Sequence, residues 1–291
     1  MQALAYYLSF PFIYAISRCP FFILYRISDF LFIVMYYVVG YRKKIVLSNL
    51  RNSFPEKSDV EISKIAKQYY VYLSDLLVET IKTLTWNEKS VVKHTKMHNV
   101  EILNGLYTKN KSILIVMGHM GNWEWAGPCF TLSCKHQLFV VYYPFTNPYF
   151  EKMFQQARTK FNTKIIPRNN TLKSIVANKN TIGATALIAD QAPAPLTTAG
   201  WIDFLHQDTA VHLGPEKTAK LMDYPIVYMH VQRTRRGFYD IYPTVLFEYP
   251  KETGDLEITK GFNRKLEEEI RRQPETWLWS HKRWKNKRPI N

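Results

Sequence analysis

The chain has 291 residues, 46% of them hydrophobic, which supports a substantial core and excludes a disordered segment. Its 39 Lys and Arg against 24 Asp and Glu leave a formal charge of +15, so the chain is drawn to something anionic: nucleic acid, acidic lipid or an acidic protein. Three cysteines, Cys19, Cys129 and Cys134, lack Cys-x-x-Cys spacing; they indicate neither a disulfide framework nor a structural zinc and fit a reducing cytosolic setting.

In chain order, two apolar stretches come first, Ala3 to Ser17 and Phe30 to Tyr41. Arg18, Arg26 and Asp29 separate them, and Arg42, Lys43 and Lys44 follow. Each is shorter than the roughly 18 to 20 residues of a clean bilayer span. There is no basic start and no small-residue cleavage pattern, so a removable signal is not expected. Residues 1–45 read instead as retained membrane-associated helices that lie in or dip into the bilayer, with aromatic rings at headgroup depth and the basic cluster on anionic phosphates. Buried core helices are the alternative.

From Asp59 to about Leu84, Ile62, Ile65, Ala66, Tyr69, Tyr70, Leu73, Leu76, Leu77 and Ile81 recur at helical spacing behind an acidic first turn. Beyond them, short apolar runs alternate with amphipathic stretches. Strands are expected at Ser112–Met117, Gln137–Tyr143, Lys164–Ile166 and Ala184–Ala189, and helices at Pro148–Phe161, Leu172–Asn178 and Pro215–Met222. This alternation predicts an α/β fold with a mixed, mostly parallel sheet flanked by helices. Val227–Arg233 and Phe238–Phe247 flank Arg235-Arg236-Gly237 as an antiparallel hairpin, and a last helix spans Thr259–Arg272 before an aromatic and basic tail. No repeat or linker interrupts residues 46–291, which read as one catalytic domain.

The chemistry-bearing segment is Gly118-His119-Met120-Gly121-Asn122-Trp123-Glu124, directly after the strand at Ser112–Met117. Ligand sites of open α/β sheets lie at such carboxyl ends. Asn122 is a natural N-cap, with Glu124 in the first helical turn. Residues five apart on a continuous helix stand about 140° apart, so a direct His119–Glu124 pairing requires His119 to lie in the turn. A carboxylate on one imidazole nitrogen fixes the tautomer and frees the other as a base. Backbone N–H groups around Gly121 and Asn122, or a nearby cation, would face an oxyanion. With no Ser or Cys in the turn, direct transfer between two bound substrates is favoured over a covalent intermediate. Trp123 and Trp125 read as packing in the core or along an acyl groove, while His206, His212 and His230 show no metal-ligand spacing.

His-Met-Gly-Asn-Trp-Glu resembles the His-x-x-x-x-Glu signature of the bacterial lipid A biosynthesis acyltransferases of the late, acyloxyacyl-forming type, within the glycerolipid acyltransferase superfamily. The resemblance extends to Tyr41-Arg42-Lys43-Lys44, Asn49-Leu50, Phe54-Pro55-Glu56, Ala157-Arg158-Thr159-Lys160-Phe161, Ala189-Asp190-Gln191 and Leu278-Trp279-Ser280-His281-Lys282-Arg283-Trp284-Lys285. It implies His119 as general base, Glu124 as its orienting partner, Arg158 on the reacting carbonyl or a substrate phosphate, and Asp190 with Gln191 shaping the acceptor site. It also implies an acyl-carrier-protein or coenzyme A thioester as donor, a lipid hydroxyl as acceptor, no cofactor or metal, and residence on the cytoplasmic face of the bacterial inner membrane. The segment Asp190-Gln191-Ala192-Pro193-Ala194-Pro195 departs from the best-known members, which leaves a lipid A precursor, a lysophospholipid and an aminolipid open as acceptors. A non-catalytic protein binding acidic lipid or nucleic acid through its basic residues is the competing class, with the Trp277, Trp279 and Trp284 cluster as its stacking surface. A hydrolase using the same His and Glu on water is another.

Overall fold

A computed structural model describes residues 1–288, so positions 289–291 of the expected catalytic domain lie outside the described residues. The chain opens with α1 (Gln2–Arg18) and α2 (Phe21–Ile33), the latter continued by a π-helical turn, Val34–Val38. The second apolar helix therefore starts at Phe21 rather than at Phe30. Pro20 forms its N-cap, and Arg26 and Asp29, one turn apart, lie inside the helix as an ion pair at 3.8 Å. The span Phe21–Val38 is long and apolar enough to cross a membrane by length and composition.

Next come α3 (Lys43–Ser53), α4 (Asp59–Lys82), α5 (Glu88–His94), β1 (Thr95–Met97), α6 (Val100–Thr108), β2 (Ile113–Met117), α7 (Trp123–Ser133) and β3 (Gln137–Tyr142). After them stand α8 (Pro148–Thr159), β4 (Lys164–Pro167), α9 (Thr171–Ala177), β5 (Gly183–Ile188), β6 (Ala199–Phe204) and β7 (Gln207–His212). The chain closes with α10 (Gly214–Met222), β8 (Ile226–Arg235), β9 (Phe238–Phe247) and α11 (Glu257–Arg272). The seven-stranded sheet has the order β1-β9-β8-β2-β5-β3-β4. Its one antiparallel pair is β8–β9, and β2 pairs in parallel with β5 and β8. β2 is buried throughout, as a central strand covered on both faces must be. Leu114 and Val116 join one core with α4 and α11, while Ile113, Ile115 and Met117 join the other with α7. The hairpin β6–β7 stands apart. Its turn places Leu205 and His206 at φ of 51° and 61°, a conformation ordinarily announced by Asn or Gly. Leu205 holds it because its side chain is fully buried and its N–H donates to Glu267 at 2.9 Å.

α4 starts with a complete capping box, Ser58 and Glu61 exchanging side-chain and backbone bonds. Of its expected apolar face Leu77 is exposed and Ile81 half-buried, while the buried side of the helix also carries the polar residues Ser74, Asp75 and Glu79. Asp75 accepts from Ser28 at 2.6 Å and from Arg236 at 2.6 and 2.9 Å, and also pairs with Arg233. One turn on, Glu79 accepts from Tyr25 at 2.9 Å, Asn122 at 2.8 Å and Tyr239 at 2.7 Å. These polar residues thus fasten α2 to the β8–β9 turn and to the start of α7. Gly237 in that turn has φ +77, and a Cβ there would meet the Tyr25 hydroxyl at 2.1 Å.

Burial raises the Glu79 carboxyl to about 7, against the lowering pull of Arg233 and the Tyr239 hydroxyl. Its folded value exceeds the unfolded one, so the stability it contributes is full below the unfolded value and is lost as pH rises through about 7. Thermal stability of the wild type should therefore fall between pH 5 and pH 8 by about 2 to 4 kcal/mol on account of this group. Glu79→Gln, which does not ionise, should flatten that part of the profile; an unchanged slope in the variant would assign the loss to other groups.

Candidate active site

His119 and Asp190 are 71 residues apart in sequence and meet because their strands do. Met117 at the end of β2 is in register with Ile188 at the end of β5, and two residues beyond each stand His119 and Asp190. Asp190 Oδ1 lies 2.6 Å from His119 Nδ1. Its Oδ2 accepts from the His119 backbone N–H at 2.7 Å and from Trp277 Nε1–H at 2.8 Å. Burial works against ionisation of Asp190, but the His119 ring, its backbone N–H and the Trp277 N–H outweigh it and hold the carboxyl at about 2. A permanent carboxylate on Nδ1 keeps the proton there and leaves Nε2 as the basic nitrogen.

The expected direct pairing of Glu124 with His119 is corrected by this geometry. Glu124 pairs with Arg158 on α8, whose Nη2 and Nε donate to the two carboxylate oxygens at 2.6 and 3.1 Å. A bidentate fork of this kind is a rigid, charge-assisted pair. The Asp190 oxygens already fill the Nδ1 side of His119, and Glu124, in the first turn of α7, is held by Arg158 instead.

Two glycines allow the turn to close. A Cβ on Gly118 would meet Leu266 at 2.6 Å and Asp190 Oδ2 at 3.2 Å, and one on Gly121, at φ +59, would lie 2.1 Å from the Val231 carbonyl. The Gly121 N–H donates to the Thr276 carbonyl at 3.1 Å, so it is committed to the fold rather than directed at an oxyanion. Asn122 is also a structural residue here. It is fully buried, its side-chain oxygen caps α7 through the Trp125 N–H at 3.1 Å, and its amide nitrogen donates to Glu79 at 2.8 Å. Neither Gly121 nor Asn122 lines the site, contrary to the substrate contacts expected of them.

The site opens into a cavity of about 1010 Å³. Its apolar arm runs between the sheet and α7, past Ile115, Met117, Ala126, Phe130, Leu138 and Phe161. Trp123 forms part of the wall with its ring edge-on to His119, centroids 4.9 Å apart. Trp125 is instead wholly buried, with its indole N–H on the Glu79 carbonyl at 3.1 Å. Gln191 lines the opening, its amide nitrogen 3.4 Å from His119 Nε2. His212, silent in sequence because nothing about its spacing marks it, also faces the cavity.

The C-terminal aromatic block clamps the turn that carries His119. The Leu278 N–H donates to the His119 carbonyl at 3.1 Å, and Met120 bridges to Trp277. Trp277 and Trp279 are buried, and Trp284 donates to Thr209 at 2.8 Å. These rings are structural packing, which removes them as a platform for nucleic-acid bases.

The description "Bacterial lipid A biosynthesis acyltransferase" belongs to a family whose profile matches residues 1–286. The chain is 26% identical over 251 residues to the lipid A biosynthesis palmitoleoyltransferase of Escherichia coli K12, covering 86% of this chain and 80% of that protein. It has the same identity and coverage to the lipid A biosynthesis acyltransferase of Shigella flexneri. To the lipid A biosynthesis lauroyltransferase of E. coli K12 it is 23% identical over 279 residues, 94% of this chain and 89% of that one. With the family's profile running nearly end to end over the fold that brings His119 to Asp190, the chain belongs to the bacterial lipid A biosynthesis acyltransferases.

Proposed function

We propose that the protein moves a fatty acyl chain from an acyl-carrier-protein or coenzyme A thioester directly to a lipid hydroxyl, with His119 as general base and Asp190 as its orienting carboxylate. The single observation that carries this reading is the Asp190–His119 pair, with His119 on the wall of a cavity lined largely by apolar residues. The acceptor hydroxyl gives its proton to His119 Nε2 as its oxygen attacks the thioester carbonyl carbon. The tetrahedral intermediate collapses with cleavage of the carbon–sulfur bond, and the leaving thiolate takes the proton from the imidazolium. Asp190 stabilises that imidazolium without becoming protonated. Arg158 uses two of its nitrogens on Glu124 and keeps Nη1 for the carbonyl oxygen as charge develops there. In this assignment Glu124 serves the reaction through Arg158 rather than through His119.

The apolar arm takes the acyl chain, and a bilayer supplies the acceptor. Supporting a membrane seat for residues 1–45, the outer faces of α1 and α2 leave Phe12, Phe22, Phe30 and Val38 more than half exposed. Tyr6 on α1 stacks on Tyr149 beside the cavity mouth, where Tyr143 and Phe145 are also exposed. The acceptor is taken to be a lipid A precursor and the location the cytoplasmic face of the bacterial inner membrane. In an assay with a carrier-linked acyl thioester and a hydroxyacylated glycolipid in fixed detergent, the expected product is the glycolipid heavier by one acyl chain. His119→Ala should abolish it while remaining folded. Release of free fatty acid at a rate independent of the lipid acceptor would instead make the protein a hydrolase.

A further inference from the structure

Glu79 is a buried carboxylate that takes no part in the chemistry at His119. It is wholly inaccessible on α4, and the arginines of the surrounding network, Arg233 and Arg236, pair with Asp75 instead. A carboxylate in such a place costs stability that an apolar residue would not. What it holds is the start of α7. Its Oε2 accepts from the Asn122 amide at 2.8 Å and from the Tyr239 hydroxyl at 2.7 Å, and its Oε1 accepts from the Tyr25 hydroxyl at 2.9 Å. Its backbone carbonyl accepts from the Trp125 indole N–H at 3.1 Å. Two turns earlier on the same face of α4, the Tyr72 hydroxyl donates to the Gly121 carbonyl. The Asn122 amide cannot turn around, because its oxygen caps α7 through the Trp125 N–H. Its NH₂ therefore needs a buried acceptor, and Glu79 is that acceptor.

Asp190 holds the His119 ring and the Leu278 N–H holds its carbonyl; α4 holds the other end of the same turn. We infer that Glu79 is a positioning residue for acyl transfer, which through Asn122 sets where α7 starts and with it the placement of His119, Trp123 and Glu124 around the reacting groups. Glu79 itself touches no reacting atom. Donors converge on it from α2, from β9 and from the turn before α7. An ionised carboxylate accepts from all three, an amide accepts through its one oxygen, and an apolar side chain accepts from none. A displacement of about 1 Å in such a turn is worth on the order of 10²-fold in rate.

Three variants separate placement from folding. Glu79→Leu removes the acceptor. Asn122→Ser keeps a capping oxygen for α7 and removes the donor. Glu79→Gln keeps an oxygen for Asn122 and Tyr239 while its NH₂ turns to the Tyr25 oxygen. In full-length protein labelled with ¹⁵N-histidine in fixed detergent, Glu79→Leu and Asn122→Ser should both move the His119 ring signals, and Glu79→Gln should keep them. The signals of His206, on the β6–β7 turn, should stay in place in all three. The kinetic readout rests on the acyl-transfer reading, the spectral one does not. Measured on the folded fraction, kcat should fall about 10²-fold in Glu79→Leu and about tenfold in Asn122→Ser. It should return to within about threefold of wild type in Glu79→Gln, with KM for the acyl donor unchanged throughout. His119 signals at their wild-type positions in Asn122→Ser overturn the positioning role, whether or not the protein transfers acyl chains. So does a melting temperature lowered at unchanged kcat, the mark of a residue that only holds the fold. Should Glu79→Leu fail to fold, Asn122→Ser decides alone. Absence of transfer by wild type, with the His119 signals moving as expected, counts against the acyltransferase mechanism and upholds the placement by Glu79.

Discussion

Asp190→Asn is expected to lower kcat by about 10²- to 10⁴-fold while leaving a folded protein. The reason is a forced tautomer. Asp190 Oδ2 receives the His119 backbone N–H and the Trp277 indole N–H, and the asparagine oxygen must take that position to satisfy both donors. Its NH₂ then faces His119 Nδ1 and donates to it, which moves the ring proton to Nε2 and leaves no lone pair toward the cavity. Glu124→Gln does not disturb this arrangement. It removes the charge from the Arg158 pair, so its loss should follow Arg158→Gln in size and kind rather than Asp190→Asn. The measurement is single-turnover rate with melting temperature recorded for each variant. An Asp190→Asn protein with wild-type rate would remove Asp190 from the mechanism.

Asp75→Ala has the largest expected effect on stability, about 3 to 5 kcal/mol, because it leaves buried cations without their counter-charge. Arg233 is 13% exposed and Asp75 not at all, so water replaces the lost interactions poorly. For a chain of this size the change corresponds to a melting temperature lower by roughly 6 to 15 °C. Because Asp75 also holds Ser28 and, through Arg236, the Asp29 carboxylate, the first segment to come away should be α2. Limited proteolysis should cut between α2 and α4 in the variant before it cuts the sheet. Cleavage of the sheet core first, or a melting temperature within a degree or two of wild type, would show that the network is not what fastens the N-terminal helices.

Much of the fold was legible from periodicity alone, since β2, β3, β4 and β5 and the helices between them carry the composition of buried parallel strands and amphipathic covers. The β6–β7 hairpin was not, because its turn is made by Leu205 and His206, whose left-handed backbone is imposed by burial and by Glu267 rather than by a turn-forming residue. α2 extends beyond the expected apolar stretch because Arg26 and Asp29, which punctuate the sequence like interruptions, lie three apart within a helix, where opposite charges compensate one another and do not end it.

For the site, both strands leading to His119 and Asp190 were expected. Sequence proximity obscures that parallel neighbours deliver residues far apart in the chain to one edge, so it points to the local carboxylate Glu124 rather than the distant Asp190 as the partner of His119. Gly121 and Asn122 carried the same ambiguity: a turn rich in Gly and Asn serves anion binding and tight packing with the same residues, and only Val231 and Glu79 across the fold decide for packing.

The most direct test of the central claim is the tautomer of His119, read from ¹⁵N spectra of histidine-labelled protein at neutral pH. With Asp190 on Nδ1, wild type should show the His119 ring protonated at Nδ1 and unprotonated at Nε2. Glu124→Gln should keep that pattern, and Asp190→Asn should reverse it. Retention of the wild-type pattern in Asp190→Asn together with its loss in Glu124→Gln would return the orienting role to Glu124 and contradict the catalytic assignment made from this geometry.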